Sequence, residues 1–199
     1  MTTADARGFG DPVFDAHHVF RSAMMALARP GSIHRLTADL RPPAPLTRGL
    51  AALALSLCDF ETLVWLDDHL AASADVVSFL RFHTGARFVD NRQQATFAFV
   101  GDADHLRDLQ GFSIGTLEYP DRSTTLVIGV CHLLIDTISG LVLTGPGIEG
   151  DVRLDAGPAI TRLKSCFIDN HNLFPRGIDA IFVAGDKIAA VPRSTQIAM

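Results

Sequence analysis

The apolar positions of this chain fall into short blocks separated by glycine, proline and charged turns. The clearest block is Ala180-Ile181-Phe182-Val183-Ala184, inside the stretch Phe174 to Thr195 and bounded by Gly177 and Gly185. A run that short, rich in β-branched and aromatic residues, predicts a strand buried on both faces. Gly185-Asp186-Lys187 predicts a tight turn and Ile188 to Val191 a returning strand. Pro192 ends it, because proline cannot donate to a β-ladder. The expectation is a central strand with a hairpin at one edge of the sheet.

Upstream, the pattern changes to a helical period. Asp11-Pro12 reads as a cap and first helical residue. Phe20, Met24 and Leu27, with Ala16, Ala23 and Ala28, predict one buried face, ended by Arg29-Pro30-Gly31. Ser32 to Leu36 reads as a short strand. After the stiff loop Arg41 to Pro45, Thr47 caps a helix to about Cys58, apolar nearly all round and so deeply packed. Thr62 to Leu66 reads as a strand, and Ala74 to His83 as a helix capped by Ser73 and stopped by Gly85. Ala95 to Val100 reads as a strand, 103–110 as a short amphipathic helix, and Gly111 to Ser123 as a loop. Thr124 to Val130 and Leu141 to Thr144 read as strands, and Val152 to Leu154 as a brief extended piece. Gly157-Pro158 opens a last helix to about Asp169, with Ile160, Leu163 and Phe167 on one face. Strands interleaved with helices predict one α/β domain over residues 11–199, a three-layer α/β/α sandwich with a mixed sheet. A loose tail over residues 1–10 precedes it.

Composition narrows the function classes. The net charge of −5 provides no broad basic field for nucleic acid or an anionic membrane. The longest apolar run, Leu50 to Cys58, is too short to span a bilayer, and the first ten residues show no signal-peptide pattern. Cys58, Cys131 and Cys166 are odd in number and lie in apolar runs, so they read as buried thiols in a reducing cytosol. The expectation is a soluble, cytoplasmic protein.

Chemistry-bearing motifs are sparse. The sequence has no GxGxxG, no GxxxxGK[ST] and no GxSxG. It has no HExxH and no cysteines at CxxC spacing, so no metal site is expected. His17 and His18 are adjacent on a helix, about 100° apart, so one is expected to pack and the other to meet solvent. Asp169-Asn170-His171-Asn172 is a polar cluster at a helix end that suits a cap as well as a site. The only lysines, Lys164 and Lys187, lie in settings that supply no desolvated pocket for covalent work. Arg29 and Arg176 each sit beside a proline in a loop, where a guanidinium could grip a phosphate or a partner's carboxylate. Gly145-Pro146-Gly147 offers either a backbone anion nest or a plain turn. These four, Arg29, Arg176, Gly145 and Gly147, are the anion or interface candidates; no set of residues reaches a catalytic claim.

Several segments occur in a telling order: Phe20-Arg21, Met24 to Gly31, Gly115-Thr116 with Tyr119-Pro120, Leu143 to Ile148, Phe174 to Asp179, and Pro192 to Thr195. This ordered set, spread over nearly the whole chain, resembles the PhnH family, the H subunits of the bacterial carbon–phosphorus lyase core complex. The family reads closer to FPLGVD and PRTT, so Arg176 stands where it carries an apolar residue. The resemblance implies a fold similar to the large domain of pyridoxal-phosphate-dependent transferases, without that cofactor. It implies a cytoplasmic protein that forms a homodimer or docks with the other core subunits, G, I and J. It also implies a part in coupling a phosphonate to C1 of the ribose of MgATP with release of adenine. No cysteine grouping here suits an iron–sulfur cluster, so radical cleavage must lie on another subunit. Two rivals remain: a stand-alone transferase using Lys164 or Lys187, and a small module binding a phosphorylated ligand.

Overall fold

A computed structural model describes residues 6–136 and 138–198. Its centre is a seven-stranded sheet. In chain order its strands are β1 (His34–Arg35), β2 (Leu63–Leu66), β3 (Arg87–Phe88), β4 (Phe97–Val100), β5 (Thr125–Gly129), β9 (Asp179–Ala184) and β10 (Lys187–Val191). In space they run β1-β10-β9-β5-β4-β2-β3. Only β10 opposes the others: it pairs antiparallel with β1 and β9, while β9, β5, β4, β2 and β3 are mutually parallel. The hairpin turn is Gly185-Asp186, since Ala184 pairs with Lys187. The hairpin is not the sheet edge, because β1 caps it. Both outer strands, β1 and β3, are two residues long.

The inner parallel strands β2, β4, β5 and β9 are apolar beyond the Thr125 and Asp179 that open β5 and β9, because both faces are covered. Val64, Leu66, Phe99, Val127, Ile181 and Val183 face one core cluster, while Trp65, Ala98, Leu126, Ile128, Ala180 and Phe182 face the other. The first face is covered by α1 (Pro12–Ala28), α2 (Arg48–Leu57), α3 (Asp68–Ala71) and α4 (Ala74–Thr84). The helix starts follow the sequence: Asp11, Thr47 and Ser73 accept hydrogen bonds from first-turn N–H groups, and Gly85 ends α4 in the left-handed region at φ 71°.

The opposite face differs from the expected helical layer. A second, four-stranded antiparallel sheet lies there, in the order β11-β7-β8-β6. Its strands are β6 (Leu134–Ile135), β7 (Leu141–Thr144), β8 (Val152–Asp155) and β11 (Gln196–Ile197). It shares this face with α5 (Pro158–Arg162) and α6 (Lys164–His171). The expected single helix is therefore two, meeting at Leu163, whose N–H is shared among the carbonyls of Ala159, Ile160 and Thr161.

Three local expectations also change. Residues 103–110 hold one 3-10 turn, Ala103–His105, and no α-helix. Asp102 and Asp108 accept from the N–H groups of Asp104 and Gln110, and such local bonds compete with a helix. On α1 the buried face is Val19, Ala23 and Ala26, whose small volumes let the helix approach β10 and α2. Phe20 and Met24 are consequently about half exposed, at 47% and 49%. His17 and His18 both meet solvent.

Of the expected N-terminal tail, residues 1–5 lie outside the described residues; Arg7 and Gly10 hydrogen-bond the backbone of Arg41 and Asp39. Among the described residues no helix is long and apolar enough to cross a membrane.

Candidate functional site

The turn Pro192–Thr195 carries the chain from β10 in the large sheet to β11 in the small one. It is closed by the Thr195 N–H on the Pro192 carbonyl at 2.9 Å. The motif segments of the sequence meet around it. Arg193 forms a two-pronged pair with Asp179 at the start of β9, with Nε to Oδ1 at 3.0 Å and Nη2 to Oδ2 at 2.5 Å. Its Nη1 donates to the Pro120 carbonyl, and its own carbonyl lies 3.2 Å from His171 Nδ1. The segment with Gly115-Thr116 and Tyr119-Pro120 folds into a compact knot. Thr116 N–H donates to the Tyr119 carbonyl, and Arg122 lies over the Tyr119 ring at 4.1 Å.

Glycine contacts link the remaining motifs. A Cβ on Gly177 would fall 3.1 Å from Arg193 Cβ, and one on Gly145 3.1 Å from the Ser194 carbonyl. Gly147 presses on the last turn of α1, where a Cβ would sit 2.2 Å from the Ala28 carbonyl oxygen. Gly31 donates its N–H to Ala190 at 3.1 Å and is wedged against Val152 of the small sheet. Asn170 clamps the entrance to β9: its amide donates to the Ile178 carbonyl at 2.9 Å and accepts from the Ile178 N–H at 2.8 Å. The polar cluster at the end of α6 thus serves backbone groups of the next segment.

The four candidates fall on two sides of this hub. Gly145 and Gly147 form a β-turn closed by Ile148 N–H at 3.2 Å, beside the exposed Arg29 at the end of α1. Arg176 lies on the other side, next to Gly177, and its Nε is buried with no hydrogen-bond partner. The carbonyl of Arg29 accepts from the Ser32 hydroxyl at 2.6 Å, and its charge, after burial, helps hold the His34 ring below its ordinary pKa. Lys164 and Lys187 are half-buried, on α6 and at the start of β10.

Beside the hub, at the amino ends of β5 and β9, opens a cleft of about 750 Å³. Asp108, Gln110, Ser113, Thr116, Arg122 and Asp169 bring polar groups to its wall. Its position is unusual, since open α/β sheets place ligands beyond the carboxyl ends of their strands. At that carboxyl end lies an arrangement the sequence reading missed. Cys131, expected to be buried, is exposed, with Sγ 3.4 Å from His132 Nδ1. His132 Nε2 in turn lies 2.9 Å from Asp155 Oδ1. The adjacent Cys-His pair after a strand was visible in the sequence. Asp155 was not, because only the β6–β8 pairing brings it alongside. Cys166 is half-buried, and only Cys58 is buried. Burial, with the nearby Asp59, pushes the Cys58 thiol up to about 12.

Fold and hub together define an α/β scaffold whose signature loops are spent on joining two sheets. The chain belongs to the PhnH family of bacterial phosphonate metabolism proteins, whose family model matches residues 7–198. It is 40% identical over 196 residues to the alpha-D-ribose 1-methylphosphonate 5-triphosphate synthase subunit PhnH of Rhizobium meliloti (strain 1021), covering 95% of this chain and 93% of that one. It is 29% identical over 182 residues to HtxG of Stutzerimonas stutzeri, described as a C-P lyase subunit protein, covering 89% and 83% respectively.

Proposed function

We propose that this chain is an assembly subunit of a carbon–phosphorus lyase core complex in phosphonate catabolism. It supports the transfer of a phosphonate to C1 of the ribose of MgATP with release of adenine. Its role is to present faces to the G, I and J subunits in the cytoplasm, and to pair as a homodimer when isolated. The observation that carries this reading is an apolar stripe left uncovered on α1, in a chain that matches a named synthase subunit nearly end to end. Val13, 74% exposed, lines up with Phe20 and Met24 along one face, and Phe14, 73% exposed, stands about 100° round the helix from Val13. Exposed apolar side chains grouped on one helix suit a protein-binding face.

Reconstitution tests the reading. Omitting this chain from a mixture of G, I and J subunits should lower adenine release from MgATP and methylphosphonate. Replacing it with a Phe14→Asp/Met24→Asp variant should reproduce the loss and weaken its capture by the other subunits. Unchanged adenine release on omission would overturn the proposal. The purified chain mixed with pyridoxal phosphate should give no stable Schiff-base absorbance through Lys164 or Lys187.

A further inference from the structure

Cys131, His132 and Asp155 stand apart from the hub, at the carboxyl ends of the parallel strands. Cys131 leaves β5 two residues after Gly129, and the buried Leu133 fixes the segment between β5 and β6. Asp155 is only 12% exposed at its side chain. Its Oδ1 accepts from the Gly157 N–H at 2.9 Å as well as meeting His132, and its Oδ2 accepts from the Ser139 hydroxyl at 2.9 Å. Burial raises its pKa, but the bonds from Gly157, His132 and Ser139 outweigh that and hold it below the ordinary carboxylate range. The carboxylate is therefore ionised at neutral pH and can only accept. That fixes the proton of neutral His132 on Nε2 and leaves Nδ1 as an acceptor facing the thiol. A nucleophile, a base within reach and a third group orienting the base are the parts of an activated thiol.

The surroundings leave room for a reaction partner. Gly157 holds φ +87°, and a Cβ there would stand 2.7 Å from Cys131 Sγ, so glycine keeps the thiol's flank open. Cys131 borders a cleft of about 190 Å³ between the ends of β4, β5 and β9, walled in part by Gly101, Gly129 and Gly157. That is where open α/β sheets receive ligands. Asp102 and Asp104 also border it, so it disfavours anions; Asp104 is paired with Arg162. Cys58 is buried in the core cluster on the opposite face of the sheet, and Cys166 lines the cleft at the amino ends. Neither shares this cleft as a partner for an internal disulfide.

We propose that Cys131, with His132 as base and Asp155 as its positioning residue, is an S-thiolation site for small neutral or cationic disulfides. The thiol proton moves from Sγ to His132 Nδ1. The thiolate attacks one sulfur of the disulfide, a Cys131–sulfur bond forms and the original sulfur–sulfur bond breaks. The other sulfur leaves with the bonding electrons and takes the proton from Nδ1, so one disulfide is exchanged for another and nothing else is oxidised or reduced.

The test uses the intact purified chain and peptide mass spectrometry after brief exposure to cystamine, hydroxyethyl disulfide or glutathione disulfide near pH 6.5. Cys131 should take up cystamine at least about tenfold faster than Cys166, with glutathione disulfide slowest. The margin over Cys166 should narrow at alkaline pH, where any thiol ionises. His132→Gln and Asp155→Asn should each remove most of the advantage near pH 6.5 while leaving the circular dichroism spectrum unchanged. Cys131→Ser should abolish the adduct. Equal rates at Cys131 and Cys166 in the unsubstituted chain would overturn the proposal whether or not the variants fold, as would a well-folded His132→Gln chain that reacts as fast as the parent.

Discussion

Arg193 and Asp179 face each other across the start of the hairpin in a planar two-bonded pair, and Asp179 Oδ1 also accepts the Arg193 backbone N–H at 2.9 Å. The side chains are 14% and 21% exposed, so the pair is largely withdrawn from water. Lysine has the charge but not the fork, and would also forfeit the bond to the Pro120 carbonyl. Arg193→Lys should therefore cost about 2–3 kcal/mol, roughly 5–10 °C in Tm for a chain of this size. A thermal melt checks it.

The Gly145–Ile148 turn supplies a second, paired test. Gly147→Ala places a Cβ against the Ala28 carbonyl at φ +83°, so backbone must shift. Gly150→Ala meets nothing within 4 Å and carries only the cost of φ +74°. The first should destabilise by more than about 3 kcal/mol and the second by about 1 kcal/mol. Urea denaturation of both variants separates the crowding from the dihedral cost.

Arg176 is expected to be a stability liability. Its Nε is buried with no acceptor, and a donor left so costs about 1–3 kcal/mol. Arg176→Leu should raise stability by about 1 kcal/mol, read from the urea midpoint. An unchanged or lower midpoint would count against the assignment.

Acid should weaken the fold in two stages. The His34 ring is held below 6.5, first by burial and then by Arg29, and burial lowers His83 likewise. A base whose folded pKa is depressed stabilises the fold above its unfolded value and loses that contribution as pH falls through the folded value. The urea midpoint should therefore decline as pH falls below about 6.5, and His34→Gln should flatten part of that slope. Asp155 follows the same sign lower down: its contribution persists above 3.8 and is lost only below it.

Asn170 is expected to be a stronger determinant of β9 than any apolar neighbour of similar size. Asn170→Ala strands both the N–H and the carbonyl of Ile178 in a buried setting and should cost about 2–4 kcal/mol. Hydrogen exchange at Ile178 and along β9 should accelerate.

Much of the large sheet was legible because its inner strands are largely apolar and its helices carry caps. Asp11, Thr47, Ser73 and Gly85 mark ends that the backbone confirms. The small sheet was half legible: β7 and β8 fall where Leu141 to Thr144 and Val152 to Leu154 read as extended, but β6 and β11 are two residues each, and pairing rather than propensity makes them strands. On α1 Ala23 goes inside as expected, but Phe20 and Met24 were misread because volume was weighed above fit; Val19 and Ala26 take the inner face since the helix must come close. The placement of Gly145 and Gly147 on one side of Pro192–Thr195 and of Arg176 on the other was not legible, because it depends on contacts between distant segments. Cys131 was misplaced because an apolar neighbourhood in sequence does not say which way a residue just beyond a strand's end turns.

The two-residue strands at either rim of the large sheet carry a consequence for assembly. A rim so brief gives an incoming chain almost no backbone ladder to extend, so this protein resists growth by strand addition. Whatever joins it must grip side chains on helix and loop surfaces. Its associations can then be retuned one substitution at a time, without disturbing the seams that hold its interior together.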